Sequence, residues 1–482
     1  MKNLFKILSV ALLSFCALSM SAADKEQKTE PKNNFKLYGF IRNYFIYDSR
    51  ESVSGTGDLF YYLPKDVSLN ANGEDLNATS SFRFLALTSR LGVDVSGYNI
   101  GNVHFGAKIE GDFYAGLSSI DKTKQPDISN YFPGNTSISG TATARLRQAY
   151  ATVTWKDLPL TDEQKASVAL KVGQAWHPMA ADHPHIFSLE AGAPFGPFSR
   201  TPQVTMDANL GANWVVSVSA LWQMQYNSQG PVGGSAIYMK YGMTPEVYAA
   251  VAYKNKGMLF RLGADLLSIK PRALGMVDGV KSKVSDRKTS MLYYAYAQYT
   301  YKKFALKAKS TWGESGEHMN LMSGYAKVGE NSDGSWNYAS LRSSSSWLSM
   351  TYGKKWQGVL FLGYVKTLGF ADPAANNILV SSGDSSQQAE VYYCGNGFSN
   401  INQIYRINPQ LIYNIGKLNV GIEYQWTSVQ YGDYIKVKRD VVDANGNTKT
   451  VTDKYLNSNG LAKDNLHWVG NNRVNLMVKY NF

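Results

Sequence analysis

Charged side chains recur at every second position in several stretches of this chain, and that spacing could do chemistry. Lys108, Glu110 and Asp112 are separated by a single Ile or Gly, and Arg145 and Arg147 by a single Leu. In an extended strand, alternate side chains share one face. The same count puts Arg90, Asp94, Lys171, Arg261, Asp265, Arg406, Glu423 and Arg473 on polar strand faces. Arg42 joins them, although its neighbours Ile41, Asn43 and Phe45 take the opposite face. Basic members outnumber acids, so a wall built from them would attract anions.

Other chemistries are less well served. Half of the six histidines, His177, His183 and His185, lie in one stretch with Asp182, Glu190 and Arg200. A zinc-type site needs further donors at fixed spacing. His183-Pro184-His185 carries no carboxylate in register, so neither a metal nor another cofactor is expected. A nucleophile needs a base beside it, and no Gly-x-Ser-x-Gly occurs, so the chain does not read as an enzyme. Lys and Arg are dispersed at strand spacing rather than gathered on a helix or patch, which argues against nucleic acid. The acidic stretch Asp433–Asp453 leaves Ca²⁺ open.

The elements that must hold these residues are strands. The chain has 482 residues, with 32 Tyr, 20 Phe, 10 Trp and 42 Gly, and only 18% charged residues. That composition favours β-structure over helices and excludes a disordered chain. Mean hydropathy is −0.28, and no segment is a continuous apolar span of helical length after the N-terminus. From Val103 the apolar set Val103, Phe105, Ala107, Ile109 and Phe113 alternates with the polar set. Leu85, Leu87, Leu91, Val93 and Val95 repeat the pattern. So do Val420, Ile422, Tyr424 and Trp426, and the closing run Val474, Leu476, Val478, Tyr480 and Phe482. On Arg145 and Arg147 the alternation sends Ala144, Leu146 and Gln148 the other way.

Residues 1–23 read as a secretory signal peptide, with Lys2 and Lys6 before an apolar run and Ser21-Ala22-Ala23 at the cut. Their removal takes two lysines and no acid from a net charge of +12, leaving +10. Cys394 is then the one cysteine, so no internal disulfide is possible. Residues 24–35 are a short polar lead-in. Beyond them, long and short links alternate. Short ones fall near 97–102, 210–213, 254–257, 302–303, 354–357 and 414–417, with a somewhat longer one at 156–165. Long ones fall near 48–80, 115–142, 177–203, 226–245, 270–290, 313–345, 370–401 and 430–465. Eight long and seven short links separate sixteen strands. This predicts an all-β transmembrane antiparallel barrel over 36–482, with tight turns at one end and long loops at the other. A terminal Phe on an apolar strand face agrees with an outer-membrane barrel of a Gram-negative bacterium.

Sixteen strands leave an aqueous channel. The third long link, 177–203, contains Pro178, Pro184, Pro194, Pro197 and Pro202 together with Phe187, Phe195 and Phe198. A loop so apolar is expected inside the barrel, packed on the wall and narrowing the passage, with Asp182, Glu190 and Arg200 as candidates to face the opening; packing on a neighbouring subunit is the alternative.

The opening strand Leu37-Tyr38-Gly39-Phe40-Ile41-Arg42-Asn43 resembles that of DcaP-type outer-membrane porins. So do Gly173-Gln174-Ala175-Trp176 entering the third long link and Arg200-Thr201-Pro202-Gln203 leaving it. The resemblance covers the mature chain in layout, with sequence matches in these stretches alone. It implies a homotrimer of sixteen-stranded barrels with a basic pore for anionic organic solutes such as dicarboxylates. Some members carry an N-terminal coiled coil, for which this chain has no heptads. The abundance of Tyr and Asn is Bacteroides-like. The expectation is therefore passive diffusion of small anionic or neutral hydrophilic solutes across outer-membrane lipid. A channel specific for one anion or oligosaccharide, and a surface adhesin or structural barrel, are the alternatives.

Overall fold

The computed structural model describes residues 33–55, 60–86, 88–115, 142–188, 191–394, 398–442, 446 and 448–482. The expected signal peptide lies outside them, as do Glu190 and most of the second long link.

Sixteen strands form the wall. They are β1 (Asn34–Asp48), β2 (Ser81–Leu85 continued by Arg90–Ser96), β3 (Val103–Ala115), β4 (Ala142–Pro159), β5 (Lys165–Trp176) and β6 (Arg200–Leu210). Then follow β7 (Trp214–Leu221), β8 (Glu246–Asn255), β9 (Met258–Ile269), β10 (Lys288–Tyr301) and β11 (Phe304–Gly313). The last five are β12 (Trp336–Gly353), β13 (Trp356–Gly369), β14 (Ile401–Ile415), β15 (Leu418–Asp433) and β16 (Asp464–Asn481). Each pairs antiparallel with the next, and β1 pairs with β16 from Phe40↔Asn481 to Asp48↔Arg473, which closes the barrel. At the seam the Phe482 ring lies over Gly39. A Cβ there would stand 2.6 Å from the ring, so only glycine fits.

Period-two alternation decides which way each side chain points. Leu37, Ile41 and Phe45 of β1, Ile109 and Phe113 of β3, Leu146 of β4 and Leu476, Val478 and Tyr480 of β16 are all exposed on the outside. Phe260 and Leu262 on β9 and Ile407 and Leu411 on β14 continue this apolar surface around the wall. A closed sheet satisfies its backbone internally, and such an exterior is what lipid solvates. Aromatic pairs mark both rims. Trp214–Tyr253 and Trp356–Tyr413 sit by the short turns, and Tyr293–Trp312 and Tyr405–Trp468 toward the long loops.

Two local irregularities overturn the simple alternation. The backbone of β2 breaks between Leu85 and Arg90, with Thr88 at φ 75°. The phase slips there. Phe82 and Phe84 face out, while Leu85, expected beside Leu91 on the outer face, is buried inside with Arg83. In β4 a register shift opposite Glu110/Gly111 is a β-bulge. Gln148, expected on the outside, instead reaches Glu110 Oε1 at 3.3 Å alongside Arg147.

The long loops hold structure of their own. Gly324–Glu330 and Val391–Tyr393 extend the wall above β12, and Ile378–Ser381, Thr448–Leu456 and Ile435–Val442 form a separate three-stranded sheet. Helix α1 (Ile237–Gly242) is six residues long. Among the described residues no helix is long and apolar enough to cross a membrane.

Candidate functional site

The inner faces of β1 to β4 bring several of the sequence-predicted residues together. Asp112 on β3 accepts two bonds from Arg145, both 2.9 Å, and one from Arg147 Nη1 at 2.6 Å. Arg147 Nε also donates to Glu110 at 2.9 Å, and Arg90 lies 3.7 Å from Glu110. Arg42 donates to Thr88 at 3.1 Å and forms no ion pair among the described residues. Arg42, Arg90 and Lys479 stand about the Phe40 ring at 4.9, 5.0 and 5.2 Å. Arg200 opens β6 on the adjoining wall, fully buried. It has no ion pair among the described residues, and its Nη1 makes no hydrogen bond there. Its guanidinium lies 4.6 Å from the Trp176 ring, which Arg147 approaches from 5.7 Å. Six cations (Arg42, Arg90, Arg145, Arg147, Arg200 and Lys479) thus meet two carboxylates (Glu110 and Asp112), an excess of four positive charges.

The remaining candidates are dispersed and mostly neutralised. Lys108 pairs with Asp94 at 3.1 Å. Lys171 lies 5.3 Å from the Tyr150 ring. Arg473 is bound by Asp48 at 2.8 Å, and the same carboxylate holds Arg83 at 3.0 Å and Asn471 at 2.6 Å. Glu423 is fully buried on β15. Asp48 and Arg83 were not singled out from sequence, because Asp48 sits at a strand end and Arg83 beyond the break in β2. Lys479 was legible, since it shares the polar face of Arg473.

The loop between β5 and β6 runs across the interior to the far wall. Arg261 of β9 pairs with Asp182. Lys309 of β11 donates to the Met179 carbonyl at 2.5 Å, and Lys307 to that of His183 at 3.2 Å. His185 meets Ser349 and Thr351 of β12, and Gln410 of β14 accepts from Phe187 N at 3.2 Å. Tyr44 of β1 donates to the Phe187 carbonyl. Arg406 donates to Thr427 and to the Ala193 carbonyl, with its guanidinium 4.9 Å from the Phe195 ring. Phe195 itself packs on Gly363 of β13, where a Cβ would lie 2.5 Å from the ring, and against Phe361. These contacts share one hydrophobic cluster with Phe198, Tyr248, Tyr294, Tyr296 and Trp347. The loop is therefore bound to the walls of β9 to β14, and it also touches the side of the arginine cluster, where His183 and Phe198 pack on Trp176 at 4.3 and 5.1 Å and Tyr44 holds Phe187. Burial pushes His183 down to about 3, with Lys309, Arg147, Lys307 and Arg200 adding to the effect. Burial also lowers His185, helped by Lys307.

His177 departs from the other two histidines. It points into the wall, where its Nε2 lies 2.9 Å from Glu246 Oε1 and 3.7 Å from Asp265 Oδ1. His318, from the 3₁₀ turn Glu317–Met319, brings its own Nε2 to 3.0 Å from the same Glu246 oxygen. Separations of about seventy residues hid this cluster from any spacing argument. In the outer sheet Asp453 is held by Arg439 at 2.7 Å and by Ser382.

No protein-family model and no curated protein matches the chain. Among solved structures, the outer membrane channel DcaP of Acinetobacter baumannii is similar at 17% identity. The match covers 95% of this chain and 99% of that one, with a TM-score of 0.57. The anion-selective porin from Comamonas acidovorans aligns at 9% identity over 94% of this chain and all of the other, TM-score 0.49. The trimer form of OmpT from Vibrio cholerae aligns at 10% identity over 93% and 99%, TM-score 0.45. At these identities the likeness is one of fold.

Proposed function

We propose that this chain is a porin of the outer membrane of a Gram-negative bacterium, passing small hydrophilic solutes by diffusion with a preference for anions. Closure of sixteen strands around a wall of charged and polar side chains, with a lipid-type exterior, suits a diffusion channel. The fold it shares with an outer membrane channel points the same way. The observation that carries anion preference is the cluster of Arg42, Arg90, Arg145, Arg147, Arg200 and Lys479 around Glu110 and Asp112. The loop after β5 crosses the interior beside it, so the constriction lies at the level of the cluster. Entering solutes must pass the positive side. The protein works as a homotrimer of such barrels.

The test is reversal potential in a planar bilayer under a potassium chloride gradient. Chloride preference, with closure in three equal steps, is the expected result. Potassium preference would overturn the charge argument, and absence of conductance would overturn the porin. A narrower reading, a channel for one planar anion, is favoured by Trp176, whose ring stands 5.7 Å from the Arg147 guanidinium and 4.6 Å from that of Arg200. Saturable block of the current by a single aromatic carboxylate would favour it.

A further inference from the structure

We propose that His177, His318, Glu246 and Asp265 form a site for one first-row divalent metal ion of the zinc type, buried between the loop root and the barrel wall. The site is independent of what the channel passes. Four elements supply it: the residue after β5, the first residue of β8, the middle of β9 and the turn Glu317–Met319. All four side chains are at most 2% exposed.

Geometry, charge and unmet hydrogen bonding converge on this assignment. Both Nε2 atoms lie 2.9 and 3.0 Å from Glu246 Oε1, and His177 Nε2 lies 3.7 Å from Asp265 Oδ1. The donor atoms of His177, Glu246 and Asp265 all fall within 4.8 Å of one another. Donors about 2.0–2.2 Å from a tetrahedral ion stand roughly 3.4 Å apart; the three observed spacings lie on either side of that value, and His318, which meets the group through Glu246 Oε1, must close in to complete it. Glu246 Oε2 and Asp265 Oδ1 are buried and make no hydrogen bond. Buried carboxylate oxygens without partners are costly. No lysine or arginine among the described residues forms an ion pair with either acid. A divalent cation would supply the positive partner that no lysine or arginine gives these two buried carboxyl groups. Imidazole nitrogens with carboxylate oxygens suit Zn²⁺ and its neighbours, whereas Ca²⁺ and Mg²⁺ take all-oxygen sets.

Loading has a local cost. His177 Nδ1 accepts from Met179 N at 3.1 Å, so Nε2 carries the proton and donates to Glu246. When the ion takes Nε2, that proton must pass to Nδ1 and the Met179 N–H must turn away. His318 Nδ1 makes no hydrogen bond, so its ring can offer Nε2 without that loss. An ion held here would staple the start of the loop and the β11–β12 loop to β8 and β9.

Isothermal titration of Zn²⁺ into the chelator-stripped, detergent-folded full chain tests the site. One ion per chain is expected, with affinity falling at least tenfold in Glu246→Gln and in His318→Asn. His185→Asn, whose imidazole bonds Thr351 instead, should bind as wild type. If Glu246→Gln does not fold, His318→Asn decides, because it lies in a loop turn. Zn²⁺ should also raise the melting temperature of the wild type and leave that of His318→Asn unmoved. Absence of saturable binding to the wild type, or equal affinity in His318→Asn, overturns the proposal.

Discussion

Neutralising Arg145 and Arg147 together should weaken anion preference several-fold. Both guanidiniums lie on Asp112, and Arg147 also binds Glu110. Arg145→Gln with Arg147→Gln lowers the local excess from four charges to two. For an ion passing at about 7 Å in water, each unit charge contributes about 0.6 kcal/mol. Screening over a Debye length of about 10 Å at 0.1 M salt roughly halves that. Two lost charges therefore cost an anion about 0.6 kcal/mol and favour a cation by the same amount. The permeability ratio then moves by about 1.2 kcal/mol, between fivefold and tenfold, since about 1.4 kcal/mol is tenfold. Adding Asp112→Asn restores the excess to three and should recover about half of the shift. It also removes one of the carboxylates that the two substitutions strip of partners. The assay is reversal potential at 0.1 M and again at 1 M salt, where a Debye length of about 3 Å should shrink the difference between variant and wild type. An unchanged reversal potential in the double variant, with normal conductance, would refute the placement of these arginines on the ion path. A shift that Asp112→Asn fails to reverse would refute the charge arithmetic.

Three further outcomes follow from contacts elsewhere. Gly363→Val puts a side chain where the Phe195 ring lies 2.5 Å from the Cβ position, so the loop should be displaced and single-channel conductance should rise. Overpacking of this kind costs about 1–3 kcal/mol, and unchanged conductance would show that the loop does not narrow the passage. Asp48→Ala leaves Arg83 and Arg473 buried without their shared carboxylate. Breaking such a site costs about 3–5 kcal/mol, so the variant barrel should unfold at lower temperature on gels that separate folded from unfolded chains. Burial holds His183 at about 3 when folded. The unfolded chain takes its proton near pH 6.5, so stability is full above that pH and declines as pH falls toward about 3. At pH 5 the loss is about 1–2 kcal/mol. Urea midpoints should fall between pH 7 and 5 in wild type and fall less in His183→Gln.

The strands were readable because a barrel wall imposes a local rule. Ile109 must meet lipid and Glu110 must not, and that alternation survives in one sequence without knowledge of partners. Loop lengths carried the count of sixteen for the same reason, since tight turns need few residues whatever they connect. What failed was also local, but backbone rather than side-chain in origin. The break at Leu85–Arg90 and the bulge opposite Glu110/Gly111 each shift the phase by a residue, so Leu85 and Gln148 turn inward. No residue type at those places announces a slip.

The charged interior was legible in membership and illegible in balance, and the difference matters more than the list. Counting side chains on polar faces treats Arg473, Arg261 and Arg147 alike. Through-space pairing does not. Arg473 shares Asp48 with Arg83, Arg261 is cancelled by Asp182 from the loop, and Arg406 is absorbed in holding Ala193 and Phe195. The largest surplus is gathered at one girth of the wall, where among the described residues Arg200 and Arg42 form no ion pair. A basic excess spread evenly over a wide pore would be screened within about 10 Å of each charge. Gathered beside the loop that crosses the interior, it acts on every solute that passes. Net charge alone therefore says little about selectivity in such a barrel. The decisive quantity is which cations the loop and the neighbouring strands leave without a counter-ion, and the Arg145, Arg147 and Asp112 series measures it.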